Sequence, residues 1–377
     1  MRKKICFVAT TDTAVNSFLV NHMRELVKFY DLTIITNAFN LDFLSKHSID
    51  AKLIQLKFAR QIDSLSDLYC LVKLMQFFIA NKFSAIHSIT PKAGLLGMLA
   101  ARLCFVKFRV HSFTGQVWVS KTGLNQSVLR FLDKLVGSFT THNIVDSQSQ
   151  RDFLIQQKVL TFKKSIVFGS GSVSGVDLKR FKPNKQMSIK VRAELLIPKN
   201  AFVFIYLGRL NRDKGILDLA TAFSQIQDKK AFLLIVGHDE GSFVDKIKEI
   251  NTHKIKQLRF VGFVNRPEYY LAASNTLCLP SYREGFGNVI IEAGAMGIPT
   301  IASNIYGISD AVINKQTGLL HSPKDVTHIA KAMQNFIAKP ELVKQYGKSA
   351  MERVKAEFDS KVMSKYWLDF YLKVVGQ

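Results

Sequence analysis

An α/β protein with two Rossmann-like, doubly wound parallel sheets is what this sequence predicts, and three observations carry the prediction. The length of 377 residues suits two domains of about 150–200 residues each. Short runs rich in Val, Ile and Phe alternate with longer helical patterns, the mark of βαβ units. That alternation breaks once, at "GSGSVSGVDLKRFKPNKQ" (169–186), and then resumes.

The first series opens with "KICFVAT" (4–10) as a strand, "VNSFLVNHMRELVKFY" (15–30) as an amphipathic helix and "DLTIIT" (31–36) as a second strand. "AKLIQL", "FSAIHSI", "FRVHSF" and "NIVDS" continue it. Helical patterns lie between them over residues 64–81, 92–104 and 124–137. Strands this apolar fit a parallel sheet covered on both faces. The second series runs "FVFIYLG", "AFLLIVG", "LRFVGFV", "TLCLPS" and "PTIAS". The expected domains are 1–182 and 183–358, with a C-terminal helix in 359–377 packing back on the first. Ligands of such sheets bind outside the carboxyl ends of the strands, here expected in a cleft where the two sheets face each other.

The glycine-rich "GSGSVSG" follows the strand "SIVF", as a dinucleotide-binding loop would. Such a loop must open a helix that receives the pyrophosphate. Asp177, Phe181 and Pro183 follow too soon for one, so the segment reads as a linker.

Composition narrows the class. Hydrophobic residues make up 47% and charged residues 21%, enough for two cores and unlike a disordered chain. Cys6, Cys70, Cys104 and Cys278 are far apart with no CxxC, which supports neither a disulfide framework nor a zinc site and suits a reducing cytoplasm. The apolar run Ile5–Ala9 is too short for a signal peptide. No stretch reaches the roughly 20 apolar residues of a membrane span.

The net charge is +23. Residues 1–185 hold 26 Lys and Arg against 11 Asp and Glu, and the remainder 26 against 18. A basic half points to an anionic partner. The bases form no dense run and no nucleic-acid motif, so a membrane surface or a phosphorylated substrate is expected rather than nucleic acid. "KTGLNQSVLRFLDKLVGSF" sets Leu124, Val128, Leu132 and Leu135 among Lys121, Arg130 and Lys134. That pattern fits a basic amphipathic helix on an anionic membrane or an ordinary core-facing helix.

Two stretches of the second half carry chemistry. In "GRLNRDKG" (208–215), Gly208 ends a strand and permits close backbone approach, Arg209 offers a planar fork of donors and Lys214 a point charge. Gly215 stands where a Walker loop needs Ser or Thr, so the stretch is either an anion clamp or a solvated turn. In "LPSYREGFGNVIIEAG", Glu284 belongs to a loop and Glu292 to a helix starting near Asn288. A carboxylate beside free N–H groups at a helix start suits sugar hydroxyls and phosphate; surface charge and capping are the plain alternative.

Taken together and in this order, with "IVG" (235–237) and "FVGFV" (260–264) between them, these stretches resemble the donor-binding half of the retaining glycosyltransferases of family four, which have the GT-B fold. The linker "GVDLKRFKP" and the closing "TGLL" (317–320) resemble the same family. The resemblance implies that Arg209 and Lys214 hold the nucleotide diphosphate and stabilise it as leaving group. It implies that Glu292 binds the ribose, that the backbone of Gly262, Phe263 and Val264 frames the base, and that Glu284 with the backbone of Gly285, Phe286 and Gly287 holds the transferred sugar. "FRVHSFTG" puts His111 at a strand end, where the resemblance places a histidine near the reacting sugar; His87 is a weaker candidate. The first domain would bind the acceptor. The family's usual glycine pair after the first strand is replaced by "TTDTAVNSF".

"HSITPKAGLLGMLAARL" with "RVHSFTGQVW" looks most like transferases of bacterial O-antigen, capsule and lipopolysaccharide synthesis, which act on lipid-linked oligosaccharides. Lys92 and Arg60 would then meet the diphosphate of a polyprenyl-linked acceptor. The implied enzyme moves a hexose or N-acetylhexosamine from a UDP-sugar with retention, uses no metal or other cofactor, and works from the cytoplasm at the inner face of the membrane. A GT-B nucleotide-sugar epimerase would use the same UDP clamp, and a non-enzymatic basic protein would bind polyanions without it.

Overall fold

The computed structural model describes residues 2–38, 42–59 and 63–376. They divide into two units, Met1–Gly175 with Ser360–Gln377, and Val176–Asp359. Residues 176–182, read with the first domain from sequence, lie in the second unit. Val176 and Phe181 belong to its core, and the Val176 N–H donates to the Phe358 carbonyl (2.8 Å).

The first unit holds strands β1 (Lys4–Val8), β2 (Asp31–Thr36), β3 (Ala51–Gln55), β4 (Ala85–Ile89), β5 (Phe108–Phe113), β6 (His142–Val145) and β7 (Ser165–Ile166). The second holds β8 (Phe202–Leu207), β9 (Ala231–Val236), β10 (Leu258–Gly262), β11 (Thr276–Leu279), β12 (Thr300–Ser303) and β13 (Gly318–His321). All pairings are parallel, in the orders β3-β2-β1-β4-β5-β6-β7 and β10-β9-β8-β11-β12-β13. Each sheet is covered on both faces. Ile5 and Phe7 of β1 enter one core cluster while Cys6 and Val8 enter another, and Val203 and Ile205 of β8 are divided in the same way from Phe204 and Tyr206. This is why the strands read as unbroken apolar runs. In each sheet the chain reverses direction beside its first strand, at β1/β4 and at β8/β11. Such a switch point opens a crevice at the carboxyl edge of the strands.

The single helix read over 15–30 is in fact two, Asp12–Phe18 and Val20–Leu26. They meet at Leu19, whose φ of −119° distorts the turn while its side chain stays buried and its carbonyl still accepts from the Met23 N–H (2.9 Å). The Thr11 side chain starts the first helix early by accepting from the Ala14 N–H (3.4 Å). The glycine-rich linker opens no helix. Ser172 and Val173 donate their N–H groups to the carbonyl and carboxylate of Asp146 (2.7 and 2.8 Å), and the next helix begins at Lys185.

The C-terminal helix Ser360–Val374 buries Met363, Trp367, Phe370 and Tyr371 in the core of the first unit. Trp367 stacks between His22 (centroids 4.7 Å) and His87 (5.0 Å) and donates its indole N–H to the Val173 carbonyl (3.0 Å). Among the described residues no helix is long and apolar enough to cross a membrane.

Candidate active site

Four consecutive loops stand along the carboxyl edge of the second sheet, after β10, β9, β8 and β11. Two glycines let them crowd together. A Cβ on Gly237 would lie 1.8 Å from the Gly208 carbonyl oxygen, and one on Gly215 (φ +64°) 2.0 Å from that of Pro280. Only a residue without a side chain allows these contacts. The loop after β8 is thereby pressed against both its neighbours.

Within that loop the backbone is braced from below. Buried Tyr206 donates its hydroxyl to the Arg209 carbonyl (2.6 Å). The Asn211 side chain caps the turn Arg212–Lys214 by accepting from the Lys214 N–H (3.1 Å). Arg209 and Lys214 therefore leave a fixed backbone, and each meets a carboxylate. Arg209 donates to both oxygens of Glu240 (2.9 and 3.2 Å), and Asn211 donates to the same carboxylate (2.7 Å). Lys214 pairs with Glu284, which also accepts from the Ser281 hydroxyl (3.0 Å). A third link, Arg283 to Asp213 (3.0 Å), ties the loop after β11 to the loop after β8, and the Tyr282 hydroxyl donated to Asp218 (2.7 Å) ties it to the helix Ile216–Ser224 that follows. Two cations lie at the switch point with removable counter-ions, an arrangement that can accept a doubly anionic group.

Glu240 escaped sequence reasoning. Its signal was the acidic pair Asp239–Glu240 directly after the strand end "IVGH". Because the Arg209 guanidinium is half exposed, its pair with Glu240 is weak and competes with any bound anion. Glu240→Gln should tighten binding of inorganic pyrophosphate about threefold; calorimetry showing equal affinities would remove Glu240 from the site.

The helix Asn288–Ala295 begins after Gly287 (φ +82°), and Glu292 lies on it while Glu284 stays in the loop. Phe286 turns its ring into the core against Phe358 (5.3 Å), so only its backbone faces the loop. Gly262 ends β10 at φ +77° with open space where a Cβ would be. Phe263 beside it is exposed, and Val264 packs on the core. No side-chain hydrogen bond or ion pair engages the Glu292 carboxyl among the described residues. Burial pushes that carboxyl up to about 7; nearby Arg180 draws it down and Glu268 adds to the rise.

A family model for glycosyl transferases group 1 matches residues 187–353, the span that builds these loops. Over 307 residues the chain is 30% identical to the capsular polysaccharide biosynthesis glycosyltransferase CapM of Staphylococcus aureus, covering 81% of this chain and 80% of that one. The chain is a group 1 glycosyltransferase. It is 29% identical over 73% of its length to the UDP-Gal:alpha-D-GlcNAc-diphosphoundecaprenol alpha-1,3-galactosyltransferase of Escherichia coli, of which 71% is covered. Its fold matches that of HepE of Anabaena, solved with UDP and glucose, at a TM-score of 0.84 and 21% identity over 99% of this chain and 100% of that one. Sucrose-phosphate synthase of Thermosynechococcus elongatus matches equally well, at 0.84 and 23% identity over 99% of each chain. The two parallel Rossmann-like units are those of the GT-B fold.

In this glycosyltransferase the first unit holds the remaining candidates. His111 lies inside β5 rather than at a strand end, 4% exposed, with Nδ1 at 2.8 Å from the Ser88 hydroxyl. Its ring lies against Gly94, where a Cβ would approach Cε1 to 2.5 Å. Burial lowers it to about 3, so the imidazole is neutral. His87 is fully buried with both nitrogens engaged, by the Tyr371 hydroxyl (2.6 Å) and the Ser112 hydroxyl (2.8 Å); it is part of the core. Lys92, in the first turn of the helix Pro91–Leu103, pairs with Asp67 (2.7 Å). Arg60 lies outside the described residues.

Proposed function

We propose that the protein transfers a sugar from a UDP-sugar, with retention and without a metal, onto a lipid-linked saccharide during synthesis of a bacterial surface polysaccharide. The observation that carries this reading is the placement of Arg209 and Lys214 together at the β8/β11 switch point, each on a rigid backbone and each with an exchangeable carboxylate. The names of the two relatives, one acting in capsule synthesis and one on a diphosphoundecaprenol-linked sugar, support the acceptor class. The reported complex of HepE with UDP supports the nucleotide.

On this reading the donor diphosphate displaces Glu240 from Arg209 and Glu284 from Lys214. Glu284 turns to the hydroxyls of the transferred sugar, aided by the backbone of Gly285, Phe286 and Gly287. Glu292 accepts from the ribose hydroxyls, and the backbone from Gly262 to Val264 frames the base. The acceptor hydroxyl attacks the anomeric carbon on the face from which the diphosphate leaves. The bond from that carbon to the diphosphate oxygen breaks, and the departing phosphate oxygen takes the hydroxyl proton. The negative charge that develops is met by Arg209 and Lys214, preorganised as such groups must be to lower a barrier. Neutral His111 contributes its Nε2 to the sugar, and Lys92 and Arg60 contribute to the acceptor diphosphate. The enzyme works as a peripheral protein on the cytoplasmic face of the membrane.

The test is calorimetric binding of a panel of UDP-sugars with no metal added. One or two donors should bind, and Arg209→Ala and Glu292→Ala should each abolish the binding with the fold intact. No binding by the wild type, or unchanged binding by both variants, would sink the reading. Acidity adds a second readout. With Glu292 titrating at about 7, its carboxylate is the stronger acceptor above that value and is lost below it. Donor affinity should therefore fall several-fold between about pH 8 and pH 6, while Glu292→Gln should bind weakly with no such slope.

A further inference from the structure

The helices Ser64–Asn81, Pro91–Leu103 and Gly123–Phe139 cover one face of the first sheet, where Cys70, Leu74 and Phe78, then Ala93, Leu96 and Met98, then Val136 share a core cluster. The middle helix is mostly buried between the other two. The outer two carry their own apolar stripes on the solvent side. On Ser64–Asn81 the stripe is Leu65, Leu68, Tyr69, Val72 and Ile79, at spacings of three and four that align on one face. On Gly123–Phe139 it is Leu124, Val128 and Phe131. Leu65 and Leu124 are 82% and 80% exposed. The second helix packs on the core through Leu129, Val136 and Phe139, so Leu124, Val128 and Phe131 are a second apolar side beyond the core-facing one of an ordinary surface helix.

Exposed bases outnumber exposed acids on and beside these helices: Lys73, Arg130, Lys134 and, just before the second helix, Lys121 are exposed, against Asp63 at the cap of the first. The acids within the helices are engaged elsewhere: Asp67 pairs with Lys92, and Asp133 accepts from the Trp118 indole (2.8 Å). Because the strands are parallel, every connecting helix starts at the carboxyl edge and runs away from it. Leu65, Leu68, Tyr69 and Leu124, near the helix starts, are therefore on the edge that holds the β1/β4 switch point.

We propose that the outer faces of helices 64–81 and 123–139 form one membrane-docking surface, which places Leu65, Leu68, Tyr69, Leu124, Val128 and Phe131 among the headgroups of an anionic bilayer. Exposed leucines and phenylalanines rimmed by Lys and Arg are the composition of an interfacial helix, and anionic lipid complements the bases. A second copy of this chain would bring the same positive charge to the contact. The surface rests on the lipid-linked reading above for its purpose, but it is tested without any sugar substrate. Docking by this face holds the carboxyl edge of the first sheet at headgroup level, within reach of an acceptor whose lipid stays in the bilayer.

The experiment is flotation of the whole chain with vesicles of phosphatidylcholine, with and without phosphatidylglycerol, for the wild type, Leu65→Glu/Leu68→Glu and Leu124→Glu/Phe131→Glu. All four positions are exposed, so tryptophan fluorescence melting should be unchanged in both variants. The wild type should float with the anionic vesicles only, and each variant should lose about tenfold or more in partitioning. Equal flotation of wild type and variants, or none by the wild type, would overturn the proposal. So would a concentration-dependent dimer that the variants abolish, which would make the face a self-association surface. Flotation through this face by a protein that transfers no sugar to any lipid-linked saccharide would refute the acceptor reading and leave the surface standing.

Discussion

Lys214→Ala should lower kcat/KM for sugar transfer about a thousandfold, mainly through kcat, while Lys214→Arg should recover part of the loss. Lys214 is held by a capped turn and by close packing of Gly215 on Pro280, and its ammonium sits in a partly buried pair with Glu284. A cation so placed costs little reorganisation when charge builds on the leaving diphosphate, and removal of one such preorganised donor typically costs about two to three powers of ten. Loss of the pair also frees Glu284 beside the incoming diphosphate, which adds repulsion. Steady-state kinetics on both variants, with far-ultraviolet circular dichroism as the check on folding, decide it. A change below about tenfold would mean that Lys214 only seats the loop.

Acid should destabilise the first unit strongly. His22, His87 and His111 are buried there and neutral. Burial lowers His22 and His111 to about 3 and His87 well below its ordinary value, with the Val173 carbonyl partly offsetting the effect at His22. In the unfolded chain each titrates near 6.5. The folded unit therefore binds fewer protons, and the contribution of these groups is full above about 6.5 and lost steadily as the pH falls below it. At about 1.4 kcal/mol per unit for each histidine, pH 5 costs about 2 kcal/mol each at His22 and His111, and His87 adds to the loss in the same direction. The chain has two tryptophans, Trp118 and Trp367, and both belong to the first unit. Urea unfolding followed by tryptophan emission thus reads this unit alone. Equal midpoints at pH 7.5 and pH 5 would refute the account.

The His22 ring shows why sequence reasoning passed this feature by. Nothing around "VNHMREL" marks a histidine as special. Its partners are the Val173 carbonyl (2.5 Å), the Ser364 hydroxyl (3.1 Å) and the face of Trp367, from distant parts of the chain. His111 was legible as a residue near the end of a strand, but not its surroundings: β5 continues to Phe113, and Gly94 of the preceding helix lies against the ring. The amphipathic segment was legible as a helix over 124–137, with apolar positions that fit either a membrane or the core. In the structure Leu124 and Val128 are exposed, Leu132 and Leu135 are half-buried, and Leu129, Val136 and Phe139 pack on the core, so the helix is apolar on two sides.

From sequence alone came the α/β class, two sheets, nearly every strand, and Arg209, Lys214 and Glu284 as residues of two strand-end loops. Strand periodicity, turn glycines and charge are properties of neighbouring residues, and a local pattern is enough to reveal them. Tertiary structure alone decided that Lys214 meets Glu284, that Glu240 occupies Arg209, that residues 176–182 belong to the second unit, and that three histidines are buried and neutral. Each of these depends on which distant groups are brought within a few ångströms and how far water is removed from them, and neither quantity is carried by any short stretch of chain.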